Sequence, residues 1–427
     1  MSGVNRVDCV IVGAGHAGLA FSACLQEQQI DHVLLERGEV ANAWLSQRWD
    51  SLRLLTPNWQ SQLPGYAYRG DSPDAFMTAQ ETARFISGYA GAINAPVQTS
   101  TAVRRATIHG EGFKVETSRG DWQCRSLVVA SGAFARPKLP VFSSQLSPAI
   151  SQFSCLHYRN PRQLPYGDVM VVGASASGLQ IAAELAQSGR GVVLCVGEHV
   201  RMPRTYRGLD IQRWLHLMGM HNERYDQVED LKRLRRLSSP QLIGDVAQRI
   251  FDLNHVRSLG VQLAGRLVSA HDQTVQFSGS LRNHCALADL KLQRLVRRID
   301  DWADRQDLLM DIDDPVPFGP TQIESSPLLK LNLAQRNIRS VIWANGLQPD
   351  YRWLVDMPAF DDKGRLKHDG GIADIDGLYV MGLPFMRRRN SSFIHGAGED
   401  ARELSSHLVQ YLESVACPMD NLMVGNC

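Results

Sequence analysis

Short apolar runs alternate with glycine turns and helix-period segments along this chain. Val7-Asp8-Cys9-Val10-Ile11-Val12 is an apolar run of strand length. Gly13-Ala14-Gly15-His16-Ala17-Gly18 follows it, and Leu19 to Gln28 then repeats apolar residues at helical spacing. His32-Val33-Leu34-Leu35-Glu36 reads as a second buried strand that ends in an acid. The pattern recurs further on. Val169-Met170-Val171-Val172 runs into Gly173-Ala174-Ser175-Ala176-Ser177-Gly178, then a helix from Leu179 to Gln187 and a strand over Gly191 to Cys195. Strands that alternate with helices in this way predict an α/β fold, its parallel sheets covered on both faces.

The two copies start 160 residues apart, at Gly13 and Gly173, and share little else. They read as a duplicated domain type rather than a solenoid. Between them, Val103 to Val115 and Trp122 to Ala130 read as a β-rich connection. Residues 205–255 and 285–312 are charged and Leu-periodic, which predicts solvated helices that bury one apolar face. Asp313 to Pro320 is a rigid loop. Strands are expected over Ser340 to Ala344 and Leu378 to Gly382, with a closing helix over Glu399 to Glu413.

The first glycine segment suits a dinucleotide. Gly13 permits the tight turn, Gly15 lets the backbone approach a pyrophosphate, and Gly18 lets the helix pack on the strand. Phosphates then face unpaired amides at the positive helix end. Glu36, 18 residues beyond Gly18, stands where an acid accepts hydrogen bonds from ribose hydroxyls. The second segment carries Ser175 at the middle position, so a shifted backbone is expected there to relieve its Cβ. No acid closes its second strand. Arg201 and Arg204 nearby suit a 2′-phosphate, hence NADPH, while Glu198 leaves NADH open.

Length favours two domains, since 427 residues exceed what one core usually serves. The balance of 44% hydrophobic and 21% charged residues is that of a globular protein, and a formal charge of +1 offers no footprint for nucleic acid or an anionic membrane. No apolar stretch approaches the roughly 20 residues of a spanning helix. The first strand begins too early to leave room for a signal peptide, so a cytoplasmic protein is the reading. The cysteines at 9, 24, 124, 155, 195, 285, 417 and 427 form no Cys-x-x-Cys pair. They read as small core residues or reduced thiols, without metal or dithiol redox chemistry.

Several segments together resemble the small bacterial flavin-containing monooxygenases. They are Gly13 to Ala20, Trp49-Asp50-Ser51-Leu52-Arg53-Leu54-Leu55-Thr56-Pro57-Asn58, Tyr158-Arg159-Asn160-Pro161, Tyr206 to Ile211, Trp343-Ala344-Asn345-Gly346 and Gly396 to Ala401. The resemblance implies two nested Rossmann-like domains of three-layer ββα type, with the NAD(P) domain (161–338) inserted in an FAD domain (1–160 and 339–427). It implies FAD in the first, NADPH in the second, and oxygen transfer through a C4a-(hydro)peroxyflavin to nitrogen, sulfur or a ketone of a small molecule. An uncoupled oxidase or reductase, or a non-catalytic redox-sensing flavoprotein, is the alternative, and a homodimer is open.

On this basis Thr56 and Asn58 are the candidate catalytic residues, lying along the flavin ring. The candidate cofactor-binding residues are Gly13, Gly15, Ala17, Gly18, Glu36, Arg37, Trp44, Trp49, Leu55, Ala130, Gly132, Gly173, Ser175, Ser177, Gly178, Arg201, Arg204, Asn345 and Gly382. Trp49 and Trp59 read equally as core aromatics. Three departures stand out. Ser154-Cys155 replaces the relatives' His-Ser, with His157 displaced by three. Asn345 replaces a threonine. Leu55 stands where larger flavin monooxygenases carry asparagine. The loop Met386-Arg387-Arg388-Arg389-Asn390-Ser391-Ser392 is either solvated or a clamp for an acidic substrate or a coenzyme phosphate.

Overall fold

The computed structural model describes residues 4–306 and 312–416. Cys417 and Cys427, and residues 307–311 of the helix expected to reach 312, lie outside the described residues. In the first half, β1 (Asn5–Val12), α1 (His16–Glu27) and β2 (His32–Leu35) are followed by α2 (Ala79–Ala92), β3 (Val97–Gln98), β4 (Val103–His109), β5 (Gly112–Thr117) and β6 (Gly120–Val129). Next come β7 (Ser151–Ser154), β8 (Asp168–Val172), α3 (Ala176–Gln187), β9 (Val192–Cys195), β10 (Gln262–Ala264), β11 (Leu267–His271), β12 (Thr274–Phe277) and α4 (Leu281–Ala303). The chain closes with β13 (Lys330–Asn332), β14 (Ile338–Trp343), β15 (His368–Asp369), β16 (Ile372–Ala373), β17 (Leu378–Val380) and α5 (Ala397–Ala416).

The first sheet runs in the order β15-β16-β17-β6-β1-β2-β3, with β4 and β5 extending from β6. Its centre is parallel, as Val10 pairs with Val33 on one side and Leu127 on the other. Residues Trp122 to Ala130 are therefore not a connection. They form the strand beside β1 at the heart of the core, where Leu127, Val128 and Val129 are buried. The second sheet runs β7-β14-β8-β9-β10, all parallel. Side chains alternate across it, as the pleat requires. Val169, Val171, Leu194 and Ile342 face one core, which includes α3; Met170, Val172, Val193, Cys195, Val341 and Trp343 face another. The antiparallel β11-β12-β13 covers the latter face with Val275, Phe277 and Leu331, which makes the three-layer ββα arrangement.

Sheet membership moves the expected crossings. β7 joins the second sheet before residue 160, and β14 remains in it past 338. Pairing decides this, because a strand belongs to the ladder that satisfies its amides. The two crossing segments pair with each other, Leu347 opposite Pro137 and Gln348 opposite Arg136.

The long helices expected over 205–255 reduce to Ile211–Leu217, Leu231–Leu234 and Leu253–Ser258. Asp210, Asp230 and Asp252 cap their starts with side-chain hydrogen bonds, and Gly208 and Gly219 adopt positive φ that a helix excludes. Only α4 is long here. It starts four residues earlier than expected and buries Leu281, Cys285, Ala288, Leu292, Ile299 and Ala303 along one stripe.

Candidate dinucleotide cleft

Both glycine turns have one construction. Gly13 and Gly173 each stand at φ +111°, and a Cβ on either would overlap the carbonyl oxygen of Ala130 or Ala344. Gly18 and Gly178 sit against the carbonyls of Gly13 and Gly173, so helix and strand approach as closely as glycine permits. Gly15 has different surroundings. Its backbone is extended (φ −84°, ψ −179°), and a Cβ would project into open space. That open space is where a pyrophosphate would pass, so the cradle fits the group. Ser175 has nearly the same torsions (φ −82°, ψ −174°). The expected backbone shift is absent, because the serine side chain finds room in the second cradle.

The two cradles open into one cleft of 2270 Å³, several times the roughly 300–1,000 Å³ of a drug-sized pocket. Gly13, Gly15, Ala17, Glu36, Arg37, Trp44, Trp49, Leu55, Thr56, Ala130, Gly132, Gly173, Ser175, Ser177, Asn345 and Gly382 line it. Glu36 follows β2, and its carboxylate accepts hydrogen bonds from the amides of Ala14 (3.0 Å) and Gly38 (3.0 Å). Two oxygens held by two amides keep further lone pairs for a ribose. Trp49 proves both core and lining: it is 4% exposed and packs with the second sheet's core, and Trp44 packs against the first. The loop carrying them is tied to the Tyr158–Pro161 run. There Asp50 donates its amide to the Arg159 carbonyl, and Asn160 donates to the Asp50 carboxylate at 2.7 Å.

Four expectations need correction. Asn58 does not line the cleft. Its amide group donates to the Ser72 carbonyl at 2.9 Å, which turns it into the neighbouring loop. Arg201 and Arg204 are 5% and 1% exposed and held by acidic partners. Arg201 pairs with Asp252 and Asp289 and donates to the Gly319 carbonyl; Arg204 pairs with Asp210 and donates to the carbonyls of Leu55 and Ile243. Neither lines the cleft, so neither reaches a 2′-phosphate there. Arg387 and Arg388 are likewise neutralised inside the fold by Glu403 and Asp400, whereas Arg389, paired with Glu223, is partly exposed and lines the cleft. The Ser154 hydroxyl, at the end of β7, is held by the His157 ring at 2.9 Å, while Cys155 and Leu156 line the cleft instead. Burial pushes the Cys155 thiol pKa up, so it stays protonated. The described cysteines are all free and buried.

Other lining residues carried no signal along the chain. Arg266 follows β10, and its Cγ lies 4.0 Å from where a Cβ on Gly197 would stand, beside Glu198 at the end of β9. Only the β9–β10 pairing brings them together. A group of imidazoles also gathers at one end. His16 and His221 line the cleft, the His221 and His395 rings lie 5.2 Å apart, and exposed His216 stacks edge-on with Trp59. Burial pushes His16 and His221 down to about 4 and His395 to about 3, the last also through the facing histidines 221, 216 and 16. His16, His221 and His395 are therefore neutral at pH 7.

Residues 10–218 match the family model described as pyridine nucleotide-disulphide oxidoreductase. An uncharacterized CzcO-like oxidoreductase of Geobacillus kaustophilus is 29% identical over 95% of this chain and 99% of its own length. The Arabidopsis thaliana indole-3-pyruvate monooxygenase YUCCA6 is 32% identical over 47% of this chain and 50% of its own. A flavin-containing monooxygenase from Stenotrophomonas maltophilia shares the fold at TM-score 0.67 and 18% identity, covering 96% of this chain and all of that one. With paired cradles opening on one cleft and relatives matching along most of its length, the chain is an oxidoreductase similar to the flavin monooxygenases.

Proposed function

We propose that the chain is an FAD- and NADPH-dependent monooxygenase that places one oxygen atom from O2 on nitrogen or sulfur of a small molecule, or inserts it beside a ketone. One observation carries this: two cradles of matching backbone geometry face a shared cleft large enough for two dinucleotides. FAD, when bound, supplies hydride acceptance and oxygen activation. The chain supplies the rest. Gly15 and the start of α1 receive the FAD pyrophosphate, and Glu36 receives its ribose. Gly173, Ser175 and the start of α3 receive the nicotinamide coenzyme, with Arg266 as the cation for a 2′-phosphate. Thr56 is the hydroxyl side chain that the 49–58 loop offers to the reacting region, and neutral His16 and His221 can each carry a proton there.

A second reading, an NADPH oxidase that releases peroxide, is favoured by one feature. Leu55 is apolar and Asn58 is turned away, so that loop offers few hydrogen bonds. One experiment separates the two. NADPH consumption, oxygen uptake and product are followed together on sulfides, amines and cyclic ketones. Product approaching one per NADPH supports oxygenation. Stoichiometric hydrogen peroxide with every compound supports the oxidase, and a protein without FAD defeats both.

A further inference from the structure

Withdrawn guanidiniums in this chain are well supplied with acceptors. Arg201 and Arg204 each combine a carboxylate with backbone carbonyls. Arg190 donates to the carbonyls of Pro161, Leu164, Pro165 and Gly167, and Arg159 to those of Ser46, Leu156 and Tyr158. Arg48 breaks this rule. Its one hydrogen bond goes to the carbonyl of the preceding residue, Gln47, at 3.0 Å, although a guanidinium carries five N–H donors. Among the described residues no carboxylate pairs with it. Its charged neighbour is another cation, Arg159, and desolvation and that neighbour both lower its pKa.

Its position narrows what it can hold. Arg48 lines the cleft and lies 5.1 Å over the Trp44 ring. It stands between Trp44, packed on the first sheet's core, and Trp49, packed in the second's. The free N–H groups of Arg48 open on the cleft, and the Trp49 Nε1 one residue on is a buried donor without an acceptor. Leaving a cation under-bonded in a half-buried wall is costly unless an anion arrives. Neither glycine cradle needs this residue, because each already presents helix amides to a phosphate.

We infer that Arg48 is an oxyanion-holding residue at the seam between the two sheets, its planar fork taking a pair of phosphoryl or carboxylate oxygens of a bound ligand. The ligand is the nicotinamide coenzyme through its diphosphate, or an acidic substrate through its carboxylate. The coenzyme's identity rests on the function proposed above; the oxyanion site does not.

Calorimetric titration of the purified protein with NADP+, inorganic pyrophosphate and benzoate tests it, beside Arg48→Gln, Arg48→Lys and Arg48→Met. Charge-assisted bidentate bonding predicts an affinity loss of about ten- to a hundredfold in Arg48→Gln, partly restored in Arg48→Lys. Loss for NADP+ and pyrophosphate together assigns the coenzyme diphosphate, and loss for benzoate alone assigns the substrate acid. Unchanged affinities for all three overturn the inference. Without ligand, Arg48→Met should melt at least about 2 °C higher than the native chain, because a poorly compensated charge has gone. A variant that melts lower and keeps native affinities shows instead that the side chain only packs on Trp44, and the inference falls. If the native chain binds no NADP+, the proposed function fails, while the pyrophosphate and benzoate titrations still decide Arg48.

Discussion

Residues of the same type have different fates in this fold, and their surroundings tell which. Gly13 and Gly15 stand two apart, yet a Cβ on the first meets backbone and a Cβ on the second meets open space. Gly13→Ala should therefore disrupt folding. Gly15→Ala should fold with a melting temperature within about 2 °C of native and lose most of its FAD, as a small change away from packed contacts costs little stability. Absorbance at the flavin band alongside thermal melting checks this; a Gly15→Ala protein that stays fully yellow would remove the pyrophosphate from that cradle. The arginines divide in the same way. Arg266→Ala should raise the NADPH KM about tenfold or more and leave the NADH KM alone, since only NADPH carries the 2′-phosphate. Arg201→Ala should cost roughly 3–5 kcal/mol in urea unfolding, because Asp252 and Asp289 are left without their partner. Equal coenzyme effects in both variants would reject this division of labour.

Among elements, the decisive contact is between the 49–58 loop and the segment that follows β9. Arg204 reaches the Leu55 carbonyl at 2.8 Å and the Ile243 carbonyl at 3.0 Å while paired to Asp210, the cap of helix Ile211–Leu217. Its guanidinium also lies 4.8 Å over the Phe76 ring. This cation is a strut that sets where Leu55 and Thr56 enter the cleft. Arg204→Met keeps bulk and removes the struts. Expected are a loss of about 3 kcal/mol or more in stability and faster amide exchange across 52–56. Exchange in that loop unchanged from native would show that Arg204 serves the helix cap alone.

For the molecule as a whole, the buried imidazoles set the response to pH. His16, His221 and His395 have folded values of about 4, 4 and 3, below the ordinary 6.5. The unfolded chain therefore takes up protons that the fold refuses. Their contribution is complete above about pH 6.5 and falls as pH drops toward 4, at up to about 1.4 kcal/mol per pH unit for each ring. The Glu403 carboxyl, held down to about 2 by Arg387, Arg388 and Arg224, loses its contribution only as pH falls from its ordinary value toward that. Urea midpoints between pH 7.5 and 5 should fall steeply, and more gently in His221→Gln. A flat profile over that range would mean that the rings are charged in the fold.

Much of this architecture was legible in the order of residues. Apolar runs, glycine turns and Glu36 are local signals, written within a few positions of one another because strand, turn and helix are themselves local. Both cradles and their strands follow from such spacing, while the cleft-lining loop was implied by the family resemblance alone. What the order of residues left open is who neighbours whom. Arg201 and Arg204 sit close to the second cradle along the chain, yet Asp252, Asp289 and Asp210 claim them. Arg266 is far away and is delivered to the same strand end by the pairing of β10 with β9. Asn58 is turned aside by a carbonyl fourteen residues on, and His221 meets His395, at the end of the cleft that His16 also lines, only because distant segments converge. Turn geometry is decided by nearby covalent chemistry; the fate of a charge or an amide is decided by the nearest competing partner, and in this protein only the tertiary structure chooses that partner.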